Sequence, residues 1–148
     1  MTRTEETYLG FDFGTKKIGV AVGQALTNSA SPLETVRAVR QKPNWQAISR
    51  LLETWRPDAL VVGVSYQQDG SENPVTQSTL RFCRQLEGRY NKPVYQIDET
   101  LTTVESKSLL FDDMKFSVTK MWELQDQFAA QLILQTWLNE RSKTTSHD

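Results

Sequence analysis

Carboxylates placed where an apolar strand or helix would not otherwise want them are the clearest chemistry in this sequence. Asp12 stands in Phe11-Asp-Phe-Gly14, where a poor strand former interrupts an apolar run just before a glycine. An aspartate that opens a turn by bonding its own backbone has the same appearance. Asp98 and Glu99 follow the run Pro93-Val-Tyr-Gln-Ile97. A helix cap accounts for Thr102, which has Glu105 at capping-box spacing. It does not account for two adjacent acids whose charges repel, whereas a cation between them and Asp12 would. Asp126 shares a helical stripe with Trp122, Ala129, Ala130, Ile133 and Trp137. An ionised carboxylate on such a stripe is costly to bury without a partner, either a basic side chain or, the preferred reading, a metal. Three carboxylates suit hard divalent cations such as Mg2+ or Mn2+. Two such ions could activate a water and stabilise the leaving oxygen of a phosphodiester. Cys83 and His147 do not make a zinc set; Cys83 reads as part of a helix core and His147 as part of a polar tail.

These acids need strands that end at one edge and a helix laid across them, and the hydrophobic pattern supplies both. Tyr8–Phe13 reads as a strand, Gly14–Lys16 as a turn and Ile18–Val22 as a second strand whose small residues permit close backbone approach. A third strand is expected around Leu33–Val39. With no room for helices between them, the three should form an antiparallel meander. Trp45, Ile48, Leu51, Leu52 and Trp55 then fall at helical spacing over Asn44–Trp55, stopped by Pro57. Ala59–Val64 is almost wholly apolar, as in a strand covered on both faces. After a polar loop, Ser65–Glu72, Asn73-Pro74 starts a helix that runs to about Tyr90. Pro93–Asp98 is a strand, Thr102–Leu110 a helix, Phe111–Thr119 a loop, and Lys120–Glu140 a long last helix. The expectation is an α/β fold with a mixed five-stranded sheet: three antiparallel strands, then βαβ units, with helices on both faces. Ligands of such sheets bind beyond the carboxyl ends of the parallel strands.

At 148 residues the chain reads as a single domain with one core, ordered over about 7–141 and flexible at 1–6 and 142–148. No apolar run approaches the roughly 18 residues of a membrane span. The polar start lacks the apolar stretch of a secretion signal. A lone cysteine cannot form an internal disulfide, which agrees with a reducing, cytoplasmic setting. The net charge of −1 means that nucleic acid, if bound, must be held by a local basic surface and metal ions, not by global charge. Lys16 and Lys17, after the first strand, and Arg81 and Arg84, on a helix, are the candidate backbone contacts.

Four collinear segments resemble one family. Asp12-Phe-Gly-Thr-Lys-Lys-Ile-Gly-Val-Ala21, Val62-Gly-Val64, Asp98-Glu-Thr-Leu-Thr-Thr103 and Asp126-Gln-Phe-Ala-Ala-Gln-Leu-Ile-Leu-Gln135 look like the YqgF (RuvX) family. The resemblance implies a ribonuclease H-like fold related to RuvC resolvases and a bacterial cytoplasmic nuclease. It further implies that Asp12, Glu99 and Asp126 are the metal-binding and catalytic carboxylates, with Asp98 a neighbouring support and two Mg2+ or Mn2+ ions as cofactor. The implied substrate is the precursor of 16S ribosomal RNA, cut in maturing its 5′ end, with branched DNA as the alternative of a Holliday junction resolvase. Ribosomal particles are then partners, membranes are not, and the chain acts as a monomer or homodimer. Three positions depart from the family pattern: Thr100 replaces an arginine, Ser65 a proline and Lys17 an arginine, which keeps charge but loses the bidentate fork. Two other classes compete. A sugar-kinase or actin-like ATPase would use Asp12-Phe-Gly-Thr15 as a phosphate loop, but needs more than twice this length. A non-catalytic nucleic-acid or ribosome-assembly factor would retain the fold without cleaving.

Overall fold

The computed structural model describes residues 6–40, 42–66, 69–99 and 118–145, with side chains of the last helix described over 125–141. The elements are β1 (Thr7–Asp12), β2 (Lys17–Gln24), β3 (Ser29–Val39), β4 (Lys42–Pro43), α1 (Trp45–Trp55), β5 (Ala59–Val64), α2 (Pro74–Tyr90), β6 (Val94–Asp98) and α3 (Val118–Thr145). They build a six-stranded sheet of order β4-β3-β2-β1-β5-β6. The β1–β2, β2–β3 and β3–β4 pairs are antiparallel, while β1–β5 and β5–β6 are parallel. Strands β1, β5 and β6 therefore end at one edge, in Asp12, Val64 and Asp98.

Alternation divides the sheet into two faces. Leu9, Phe11, Ile18, Val20, Leu60 and Val62 pack with Ile48 and Leu52 of α1 and with Phe82 and Leu86 of α2. Tyr8, Ala21, Val61 and Ile97 pack on the other face with Ala130, Ile133, Leu134 and Leu138 of α3. All six residues of β5 are buried, as its unbroken apolar run requires. Helix α1 starts on Asn44, whose side chain accepts from Ala47 N–H, and ends at Arg56 in a left-handed conformation just before Pro57. Helix α2 starts at Pro74 behind a capping box in which Asn73 and Thr76 satisfy each other's backbone N–H groups. Cys83 is in the first core, and burial pushes its thiol up to about 11, so it stays protonated and inert at neutral pH.

A ladder of glutamines ties α3 to β3 and to the turn that precedes it. Gln131 Nε2 donates to Ala30 O, Gln135 Nε2 donates to Asn28 O, and Gln135 Oε1 accepts from Ala30 N–H. Gln127 Nε2 reaches Thr35 Oγ1.

The structure departs from expectation in three places. The sheet has six strands rather than five, because the left-handed Arg40 turns the chain so that Lys42 and Pro43 pair with Val39 and Ala38. A two-residue edge strand ending in proline leaves no periodic trace. Strand β3 begins at Ser29 rather than Leu33; its register shifts opposite Val20 and Ala21, which breaks the alternation a strand is recognised by. On α3 the buried positions include Phe128, Leu134 and Leu138, whereas Ala129 and Trp137 are half-buried. The expected helix Thr102–Leu110, the expected loop as far as residue 117, Thr100, the side chain of Trp122 and His147 lie outside the described residues, whereas Val118 and Thr119, expected in the loop, open α3. No helix among the described residues is long and apolar enough to cross a membrane.

Candidate functional site

Asp12, the last residue of β1, pairs with Gly19 of β2. Directly opposed residues of an antiparallel pair project to the same face. Gly19 faces α3: a Cβ built on it would lie 1.8 Å from the Asp126 carbonyl oxygen and 3.1 Å from the Asp126 Cα. Asp12 is therefore on the α3 face, next to the point where the backbone of Asp126 crosses β2. Its side is half-buried at the sheet edge.

On the opposite flank of Asp12 runs β5, with Phe11 paired to Val62, so that Gly63 is the next residue along. A Cβ on Gly63 would meet Ile133 of α3 at 2.4 Å and Oε1 of Glu99 at 2.9 Å. Glu99 thus folds back over Gly63 on the α3 face. The two bare positions, Gly19 and Gly63, flank Asp12 and make room for the helix backbone on one side and for the Glu99 carboxylate on the other.

Glu99 is held in place from β5 and α2. Ser65 Oγ donates to Glu99 Oε2 at 2.5 Å, and the Ser65 carbonyl accepts from Thr76 Oγ1 at 2.5 Å. Thr76 is fully buried in the first turn of α2, inside the capping box with Asn73. The start of α2 is therefore linked through Ser65 to the carboxylate, and a proline at 65 would have supplied no hydroxyl for this.

Asp12 and Glu99 share the α3 face at the sheet edge, and the backbone of Asp126 lies against Gly19 beside Asp12. Asp98 is separated from them: its neighbour Ile97 packs under α3, so Asp98 projects to the α1/α2 side. Among the described residues no three acids, histidines or cysteines stand close enough to enclose one metal ion. The donors are nonetheless of the right kind. Carboxylate oxygens are hard ligands, and Mg2+ is commonly held by one or two of them, with water and substrate phosphates filling its remaining positions.

Lys16 and Lys17 are exposed at the β1–β2 turn, beside Asp12 in sequence and at the same edge. Arg81 and Arg84 are exposed on α2, in the layer across the sheet. Arg81 lines a cleft with Arg40, Lys42 and Arg89, which Arg84 does not. Sequence reasoning missed Gly63 and the pair Arg40 and Lys42. The glycine was readable as an interruption of an otherwise apolar run of larger residues, while the basic pair depends on a turn that no pattern announces.

The family RuvX, described as Holliday junction resolvase, matches residues 6–140. A protein of Methylococcus capsulatus, named as a candidate pre-16S rRNA nuclease, is 57% identical over 133 residues, covering 90% of this chain and 88% of that protein. One of Coxiella burnetii with the same name is 44% identical, covering 90% and 92%. Among solved structures, Thermus thermophilus RuvC superposes with a TM-score of 0.56 at 18% identity, covering 93% of this chain and 97% of that one. The Fowlpox virus resolvase, solved with Holliday junction DNA, gives 0.56 at 15% identity, covering 90% and 97%. The architecture is that of the RuvC-like resolvases.

Proposed function

Because this chain belongs to the RuvX family, we propose that it is a metal-dependent nuclease that hydrolyses phosphodiester bonds in the cytoplasm, trimming the 5′ end of precursor 16S ribosomal RNA. One observation carries the catalytic part: Asp12 and Glu99 lie on one face of the sheet edge, with Asp126 delivered beside them by α3. The substrate part is supported by the names of the relatives at 57% and 44% identity. In this reading Asp12, Glu99 and Asp126 hold two Mg2+ or Mn2+ ions, and Asp98 supports them from the far face. Such ions, when bound, lower the pKa of water and offset the charge that develops on a phosphodiester. The β-ladder fixes the backbone of Asp12 and Ser65 holds the Glu99 carboxylate, so the Glu99 carboxylate does not have to be ordered when substrate arrives. Lys16 and Lys17 lie where they can bind phosphates entering the edge. Ribosomal particles are the natural partners, and the protein acts as a monomer or homodimer.

A second reading, resolution of branched DNA, is favoured by the structural neighbours solved with Holliday junctions. Incubating the purified chain with Mg2+ or Mn2+ and either a precursor 16S fragment or a four-way junction separates the two. Cleavage of the RNA, abolished by a chelator, is expected. Paired nicking of the junction alone would transfer the function to DNA. No cleavage of either substrate with either metal would sink the nuclease reading and leave a binding factor.

Ser65→Ala should slow cleavage by about tenfold, because a hydrogen bond to a charged group contributes about 1.5–3 kcal/mol and 1.36 kcal/mol is a factor of about ten in rate. Ser65→Thr, which restores a hydroxyl, should recover most of the rate. Equal rates for the alanine and threonine variants would remove Ser65 from the role of positioning Glu99.

A further inference from the structure

Across the sheet from the carboxylates is a cleft of 500 Å3 lined by Phe13, Arg40, Lys42, Trp45, Arg81 and Arg89, among others. Four of its lining residues are cations and none is an acid. On a chain of net charge −1 this is a strong local bias. Like charges gathered in one concavity repel one another, and the concavity focuses their field outward toward an anion. None of the four has an ion-pair partner among the described residues.

One of the cations is also held in place. Trp45 stacks on Phe82 with ring centroids 5.8 Å apart and 25° between planes. On the indole of Trp45 lies the Arg89 guanidinium, 4.2 Å from the ring centroid. A stacked guanidinium keeps its N–H fork available in the plane of the group, the geometry that grips a phosphate. Arg40 and Lys42 are presented by the β3–β4 turn, and Arg81 comes from α2. Phe13 has one side on Phe82, centroids 4.9 Å apart, and lines the cleft.

The cleft begins one residue from the site. Asp12 projects toward α3, whereas Phe13 packs with the opposite core. A strand crossing the sheet edge at Asp12 would pass directly to Phe13. A cleft lined by Phe13 and Trp45 as well as by cations matches the aromatic and basic grooves that track a single strand.

We propose that this cleft binds the phosphates of a single-stranded polynucleotide segment adjoining the bond to be cut, with Arg40, Lys42, Arg81 and Arg89 as its cationic contacts. The inference rests on the nuclease reading, and its test measures binding alone so that the two can fail separately. The double variant Lys42→Ala/Arg81→Ala, both exposed positions, is titrated in chelator against fluorescent single strands of RNA and DNA and against a duplex. Loss of two phosphate contacts should weaken single-strand binding about tenfold and flatten the dependence of log affinity on log salt by roughly 1.4, at about 0.7 per phosphate. Arg50→Ala, exposed on α1 outside the cleft, serves as the charge control. A loss confined to RNA assigns the cleft to the precursor strand, and one confined to DNA assigns it to a single strand of DNA. Unchanged affinity and slope for both single strands would overturn the proposal, as would an equal loss on the duplex or in the Arg50 control. None of these results bears on whether the carboxylates cleave.

Discussion

Asp12→Asn is expected to lower metal-dependent cleavage by roughly a thousandfold while the protein stays folded. A divalent ion contributes several kcal/mol of charge stabilisation to such a reaction, and each 1.36 kcal/mol is worth about a factor of ten. Asparagine keeps the size and one oxygen of the side chain but removes the charge proposed to hold the cation. Little else should change. Asp12 is half-buried at the end of β1, and the core beneath it is made by Leu9 and Phe11. The variant should therefore melt within a few degrees of the parent and bind Mn2+ more weakly by titration calorimetry. Retention of cleavage to within tenfold would show that the reaction is centred elsewhere.

Gly19→Ala should be the most damaging of the glycine-to-alanine changes in this protein. Its new carbon would lie 1.8 Å from the carbonyl oxygen and 2.3 Å from the carbonyl carbon of Asp126. Both atoms are helix backbone, so no side chain can rotate away, and α3 must lift or β2 must bend. Overpacking of this kind costs about 1–3 kcal/mol and sometimes more. At roughly 2–4 °C per kcal/mol for a chain of this size, the upper figure lowers the melting point by about 6–12 °C. Activity should fall further than stability, because Asp126 travels with the displaced backbone. Gly88→Ala is the matched control. Nothing lies within 4 Å of its added carbon, and it sits inside α2. Replacing a helical glycine with alanine should stabilise by about 0.5–1 kcal/mol. Equal melting points for the two variants would mean that α3 is not pressed against Gly19.

How far the sequence could be read depended on whether each feature was local. The termini of α1 and α2 were legible because Asn44, Pro57, Asn73 and Pro74 act within a turn of themselves. Asp12 was legible because an acid stood out in an apolar strand. The division between Asp98 and Glu99 was not. Strand alternation places Asp98 away from α3, but Glu99 lies beyond the strand, and only its contact with Ser65 and its approach to Gly63 reveal where it points. Arg81 and Arg84, three residues apart on α2, looked equivalent. They differ because β4 and the left-handed Arg40 bring a basic turn toward one of them. Ser65 looked like a missing proline, and its use became visible only once Glu99 was seen beside it.

The glutamine ladder has a consequence for the acids it never touches. Gln131 bonds Ala30 of β3, and Gln135, one helical turn on, bonds Ala30 and also Asn28 in the turn before the strand. One turn of helix rises about 5.4 Å. A helix that slides must give up these bonds before it can form others, so it engages the strand only at discrete settings, like a pawl on a rack. Apolar contact with glycine and alanine would tolerate a gradual slide, whereas the amides do not. A slip of one notch would carry Asp126 about 5.4 Å along the sheet, wholly away from Asp12. The ladder therefore gauges the active edge from a distance.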